Sequence, residues 1–432
     1  MDILGRHNST VTAVQHDLMR ALWLKNCSRA TESWHSLGNA IRQAQELGLH
    51  LQSDVRQPAD GNLGEMLARL WYDEYKRRLW VNLFIWDSHM ALTLGRPRTI
   101  NANDCTIKTP TDCDIPEDPS TTVPTSIGSA NVPSSYTPRL FMYEISHKIH
   151  KMRSLAADKR YISDYNVVKV LHEQVMSLLD GLPPVFRPEN PDISWDSRCP
   201  NFPKQRQQIS MAASSFLMAL HRPHVAIHKF SRDAGIRAAL NILESQQRLF
   251  EMVSRHHHKF FYLSFYTIDA AMFLAATMIK HTPTDQDLLQ NIYHSLRKAI
   301  NRLLVMKEKS PIAKSGVQVL AQSYQKISSE SSKNINDSIN LNCTAHGVNE
   351  VPEGATIHGP QNSIDWSLSD LANLQSTIQI DRSTHSDTFF NAVDFNASFW
   401  INRMTEDIDL DLGAPIHDSW DSLHFPNLEN IG

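Results

Sequence analysis

Residues 65–97 read EMLARLWYDEYKRRLWVNLFIWDSHMALTLGRP, and this stretch decides the fold class. Leu67, Leu70, Trp71, Leu79, Leu83, Trp86 and Met90 recur on a helical period, so the segment predicts one long helix with a buried apolar face. Gly95 and Pro97 stop it, since glycine accepts the left-handed turn after a helix and proline cannot continue one. Asp73 and Arg77, and likewise Glu74 and Arg78, stand four apart with the acid first. Each such pair contributes about 0.3–0.5 kcal/mol if exposed.

Upstream, residues 31–48 predict a second amphipathic helix on Trp34, Leu37, Ile41, Ala44 and Leu47, ended by Gly48. Downstream, six prolines from Pro110 to Pro138 among Ser and Thr exclude a helix and point to a long surface loop. Helical patterning resumes over 139–159, 164–182, 205–221, 234–257, 259–280 and 285–308. No alternating run bounded by hairpin signals and no internal repeat breaks this series. The expected fold is all-α, a multi-helix body over residues 1–327.

Composition agrees. Only 15 of 432 residues are glycine, well under the ~7% of average usage, which argues against glycine-rich phosphate loops and turn-rich sheet folds. Cys27, Cys105, Cys113, Cys199 and Cys343 form no CxxC, so neither a disulfide framework nor a zinc ribbon fits. The start, MDILGRHNSTVTAVQHDLMR, lacks the pattern of a secretory leader and argues for a reduced, intracellular setting.

The net charge of −4 conceals two regions. From Ser328 onward three basic residues face sixteen acidic ones, a net of −13, which leaves +9 on the body. This tail, 328–432, has too few aliphatic clusters to offset ordering entropy and reads as disordered. Phe395, Phe399, Trp400, Trp420 and Phe425 are interleaved there with Asp394, Asp407, Asp409, Asp411, Asp418 and Asp421. Acids that keep aromatic rings solvated form a candidate activation segment.

Candidate chemistry is thin. His221, His224 and His228 have spacing for a metal, but Pro223 interrupts the helix face, and turn or capping roles are expected there and at His256, His257 and His258. His172 opens an HExxH that Met176 fails to complete. Nucleophile elbows, phosphate loops and calcium loops are absent from the sequence, so no catalytic residue, metal or cofactor is assigned. The apolar run 260–279 is long enough to span a bilayer, yet Asp269 at its centre favours a buried bundle helix with Asp269 bonded to a neighbour.

Two segments, TESWHSLGNAIRQAQELGLH (31–50) and DEYKRRLWVNLFIWDSHMALTLGRPRTINANDCTIKTP (73–110), resemble the fungal-specific transcription factor domain, the middle homology region of zinc binuclear-cluster regulators. The matching residues are Trp34, Ala40, Ile41, Arg42, Ala44, Leu47, Gly48, Leu49 and His50, then Arg77, Arg78, Leu79, Trp80, Asp87, Gly95, Arg96 and Pro97, with Leu220, His221, Arg222 and Pro223 as a later LHRP element. Lys76 and Val81 depart mildly from the pattern, and no six-Cys cluster precedes it. Trp34 and Trp80 are expected to fill the core; Arg96 is expected either to pair with Asp87 or Glu74 or to stand solvated.

The resemblance implies nuclear transcription regulation of RNA polymerase II genes, in a metabolic pathway or gene cluster, through protein contacts. A coregulator or scaffold that does not touch DNA is the alternative, ahead of an enzyme. Implied partners are transcription machinery or coactivators at the acidic tail, with promoter DNA only where an upstream zinc cluster or a partner supplies the contact. The resemblance leaves room for a small-molecule effector and a homodimer, and gives no membrane role.

Overall fold

A computed structural model describes residues 9–52, 62–126, 133–155 and 162–343, with side chains to 327. These residues form ten α-helices and no strand. In chain order they are α1 (Val11–Asn26), α2 (Ala30–Glu46), α3 (Leu63–Leu94), α4 (Thr137–Leu155), α5 (Tyr165–Asp180), α6 (Phe202–His221), α7 (Lys229–Met252), α8 (Phe261–Lys280), α9 (Gln286–Met306) and α10 (Pro311–Cys343). The all-α expectation holds.

Local chemistry sets several starts. Thr10, Asn62, Asp164 and Asp285 each accept an amide hydrogen bond from the first turn of α1, α3, α5 and α9. Gly95, at φ 64°, turns the chain left-handed and ends α3; Gly48, at φ 70°, does the same just after α2.

Consecutive helices pair as hairpins, α1 on α2 and α6 on α7, and α8 threads between α7, α9 and α10. One continuous apolar core runs from Val14 to Ile327. Trp80, Phe84, Phe186 and Phe216 are its largest fully buried side chains. Helix α8 is long and apolar enough to cross a membrane, but 78% of its apolar window is buried against its neighbours. Asp269 on it pairs with Arg222 at 2.7 Å.

Four sequence expectations shift. Helices α1 and α10 had no counterpart among the expected helices. Helix α10 runs on to Cys343, across the expected boundary at 327/328. Helix α7 starts earlier and ends earlier than 234–257, and residues Arg255–Lys259 form a separate 3₁₀ turn in which His258 stacks on Phe250 and His257 on Phe260. These histidines therefore pack against rings and do not cap α7. The aromatic tail residues Phe395 to Phe425 lie outside the described residues.

Candidate functional site

Along α3, the Glu74–Arg78 pair and Asp87 each hold a piece of chain that has no regular structure of its own. Glu74 is fully buried and Arg78 nearly so. Arg78 donates from Nε to Glu74 Oε1 at 3.0 Å and from Nη2 to the carbonyls of Thr111 (3.1 Å) and Cys113 (2.8 Å). Glu74 Oε1 in turn accepts the Thr111 amide at 2.9 Å, and the Tyr136 ring lies 4.1 Å from the guanidinium carbon. A buried ion pair is retained where hydrogen bonds meet most of what the pair leaves over; Glu74 Oε2 makes no hydrogen bond and has the Arg77 ion pair. Here the hydrogen-bond partners belong to the proline-rich loop, so the pair fastens both ends of that loop to α3. The pair is buried, so the value for an exposed pair does not apply to it. Arg77, partly exposed, reaches Glu74 Oε2 at 3.2 Å, and Lys76 takes Asp73.

Two turns past Trp80 the same logic repeats. Asp87, 1% exposed, accepts the amides of Thr99 (2.9 and 3.0 Å) and Ile100 (2.9 Å), which anchors the chain after GRP. Burial pushes its carboxyl up, against the pull of those amides and of Arg98. Arg96 pairs with neither Asp87 nor Glu74. Its guanidinium lies 5.0 Å from the centre of the Trp34 ring, and Nη2 donates to Thr31 Oγ1 at 2.9 Å. Trp34 is accordingly half-buried under Arg96, whereas Trp80 is fully buried. The difference follows from position: Trp34 is on the α2 flank that meets the GRP loop, and Trp80 faces the bundle axis. Arg42 is exposed on α2 and donates only to Asn39, one turn back.

The LGLH and LHRP elements act in the same way. The His50 carbonyl accepts the amides of Thr106 (3.0 Å) and Ile107 (3.2 Å), and its ring lies against Trp80. His221 of LHRP is fully buried in a hydrogen-bonded file. Its Nε2 meets His172 Nδ1 at 2.8 Å, its Nδ1 meets Ser231 Oγ at 2.9 Å, and Tyr165 Oη meets the same hydroxyl at 2.9 Å. Burial, then His172, His224 and Arg237, lowers the His221 pKa to about 3, so the ring is neutral.

A serine on a histidine invites a nucleophilic reading, but Ser231 is 0% exposed and already shared with Tyr165. A nucleophile must meet its substrate, and this one cannot. Nor do His221, His224 and His228 make a metal site. Tyr165 stacks on His228 at 3.5 Å, and among the described residues no three ligating side chains gather round one point. A surface groove of about 760 Å³ lies along α9 and α10, between Asp287, His294, Arg297 and Tyr324.

The comparisons with known proteins bear on the same segments. The family model described as the fungal specific transcription factor domain matches residues 4–183, which include α1 to α5 and every element of RRLW and GRP. Residues 4–183 carry a fungal specific transcription factor domain. Similar curated proteins include Transcription factor xilB of Penicillium rubens, 24% identical over 72% of this chain and 49% of its own length. Probable transcription factor sol4 of Alternaria solani is 23% identical over 66% of this chain and 50% of its own length. An uncharacterized transcriptional regulatory protein of Schizosaccharomyces pombe is 27% identical over 50% of this chain and 25% of its own. The chain spans about half the length of the first two relatives. No solved structure matches it. The matched family is a transcription factor domain and not an enzyme family.

Sequence reasoning missed the Tyr165–Ser231–His221–His172 file, whose members are separated by up to 66 residues, and the Arg206–Asp196 pair that closes the loop before α6. No local pattern signals either.

Proposed function

We propose that this chain is the regulatory part of a fungal-type transcription regulator that works in the nucleus on RNA polymerase II genes. The match of residues 4–183 to the transcription factor domain supports this reading most directly. The geometry supports it too, because the buried motif residues Arg78 and Asp87 are spent on pinning loops. No cysteine spacing for a zinc cluster occurs in the sequence, so promoter contact is assigned to a partner or to chain beyond this sequence. Output is assigned to the acidic, aromatic segment that includes Phe395, Phe399, Trp400, Trp420 and Phe425.

The test is a fusion of residues 380–432 to a heterologous DNA-binding domain on a reporter. Activation is expected, and replacing those five aromatic residues by Ala is expected to abolish it. A silent fusion, or an Ala variant of equal activity, overturns the activation segment. In gel shifts, the chain alone is expected to bind duplex DNA weakly and without sequence preference, since its +9 body charge is dispersed.

A further inference from the structure

The outward face of α9 carries Asp287, Gln290, Asn291, His294 and Arg297 at spacings of three and four, while Ile292, Leu296, Ala299 and Leu303 on the opposite face enter the core. A solvated face of that kind is ordinary. Here α10 runs beside it and makes the surface concave, a groove of about 760 Å³, which is a volume typical of small-ligand sites. The wall of the groove is aromatic. Tyr293 of α9 and Tyr324 of α10 are half-buried, rest on the core and meet edge to face, with ring centres 5.8 Å apart and planes at 83°.

The polar groups along α9 are uncommitted. Asp287, Gln290, His294 and Arg297 make no side-chain hydrogen bond or ion pair among the described residues, and Asn291 accepts only from Ser295 Oγ, at 3.4 Å, which leaves its amide N–H groups unused. This chemistry narrows the occupant. Among the described residues no aliphatic side chain lines the groove, whereas sites for apolar effectors are lined mainly by hydrophobic side chains. A phosphate or carboxylate finds a single arginine and, at the other end, the charge of Asp287. The ligand that fits is neutral, rich in hydroxyls and flat-faced. Carboxylate, amide and guanidinium groups each offer two atoms to adjacent hydroxyls, and the electron-rich faces of tyrosine take the C–H groups of a sugar ring. Asp287 and Arg297 stand ten positions apart, about 15 Å along the helix axis at 1.5 Å per residue. One sugar ring is too short to reach both, and a short, straight chain of β-1,4-linked rings reaches them.

We propose that the groove between α9 and α10 binds a neutral, straight-chained oligosaccharide. Its rings lie against Tyr293 and Tyr324, and its hydroxyls pair with Asp287, Gln290, Asn291 and Arg297 along α9. The site lies outside residues 4–183, so it gives the second half of the bundle a ligand of its own, beside the matched domain. The role of that ligand as an effector rests on the regulator reading above; its binding does not.

The experiment uses the purified full chain with cellotetraose and xylotetraose as straight probes, maltotetraose as a curled one and glucose as the single ring. Calorimetry and saturation-transfer NMR are expected to show binding of at least one straight probe, with maltotetraose and glucose about tenfold or more weaker. Gln290→Ala and Arg297→Ala, both at exposed positions, are expected to keep the melting temperature of the wild type and to weaken binding severalfold each. Tyr324→Leu is expected to abolish the transfer of saturation to the sugar-ring protons. No binding of either straight probe, equal binding of maltotetraose, or unaltered affinity in both Gln290→Ala and Arg297→Ala overturns the proposal. None of these outcomes touches the reporter assay, so the two readings fail separately.

Discussion

Two buried polar seams hold this bundle, and they solve the same problem by opposite means. At Glu74–Arg78 the charges are kept, and loop backbone takes up Arg78 Nη2 and Glu74 Oε1. At His172–His221–Ser231–Tyr165 the charge is given up, and neutral groups hand hydrogen bonds along a file. The first seam ties an irregular loop to α3, where a fixed guanidinium fork gives geometry that a weaker donor cannot. The second joins α5, α6 and α7, which are already packed side by side, so direction matters less than the absence of an orphaned group.

That contrast makes the largest predicted effect one of pairing. Arg78→Ala strands Glu74 in the core and should cost about 3–5 kcal/mol, with early proteolysis of the 110–136 loop as its signature. Trp80→Ala should cost a similar ~3–5 kcal/mol through the cavity alone, with the loop still protected. Urea unfolding and limited proteolysis separate the two; a protected loop in Arg78→Ala would break the comparison.

The histidine seam predicts acid sensitivity. His221 is held at about 3 and His150, stacked on Phe84, also at about 3, so both stay neutral in the fold while the unfolded chain protonates them near 6.5. The unfolded state then binds more protons, and stability falls as pH drops below about 6.5. Each such histidine should cost about 2 kcal/mol between pH 7 and pH 5. His221→Asn should remove about half of that slope, with His150 keeping the rest. Melting curves across this pH range give the answer; an unaltered slope in His221→Asn would place its proton elsewhere.

Smaller effects sharpen the edges of the comparison. Arg77→Ala should cost about 1–2 kcal/mol, above the usual surface pair, because its partner Glu74 is fully buried but keeps Arg78. Arg42→Ala should stay within about 0.5 kcal/mol, since Arg42 is exposed and touches only Asn39.

What could be read ahead of the structure divides along the same line. The limits of α2 and α3 were legible because apolar period and terminal glycine act within a few residues. Helix α1 was not, although Thr10 marks its start and Val14, Leu18, Ala21 and Leu22 share one face: buried Lys25 within that stripe and exposed Trp23 opposite it blur the pattern. Helix α10 was not read at all, and its second half runs through the Ser- and Asn-rich stretch from 328, which has no apolar stripe. The motif residues were recognisable, but their partners were not. Arg96 meets Trp34 across 62 positions, and Arg78 meets Cys113 across 35. Such pairs depend on how helices stack, and no local spacing encodes that.

The central claim is that the family's signature residues are fastenings, and the Glu74–Arg78 pair states it most sharply. A double-mutant cycle in urea on Glu74→Gln, Arg78→Met and the combined variant tests it directly. The predicted result is strong coupling: each single change costs several kcal/mol, and the double recovers about 2–3 kcal/mol relative to their sum, because removing both charges leaves no orphan. Small, additive losses would contradict the claim and release these residues for a role at the surface.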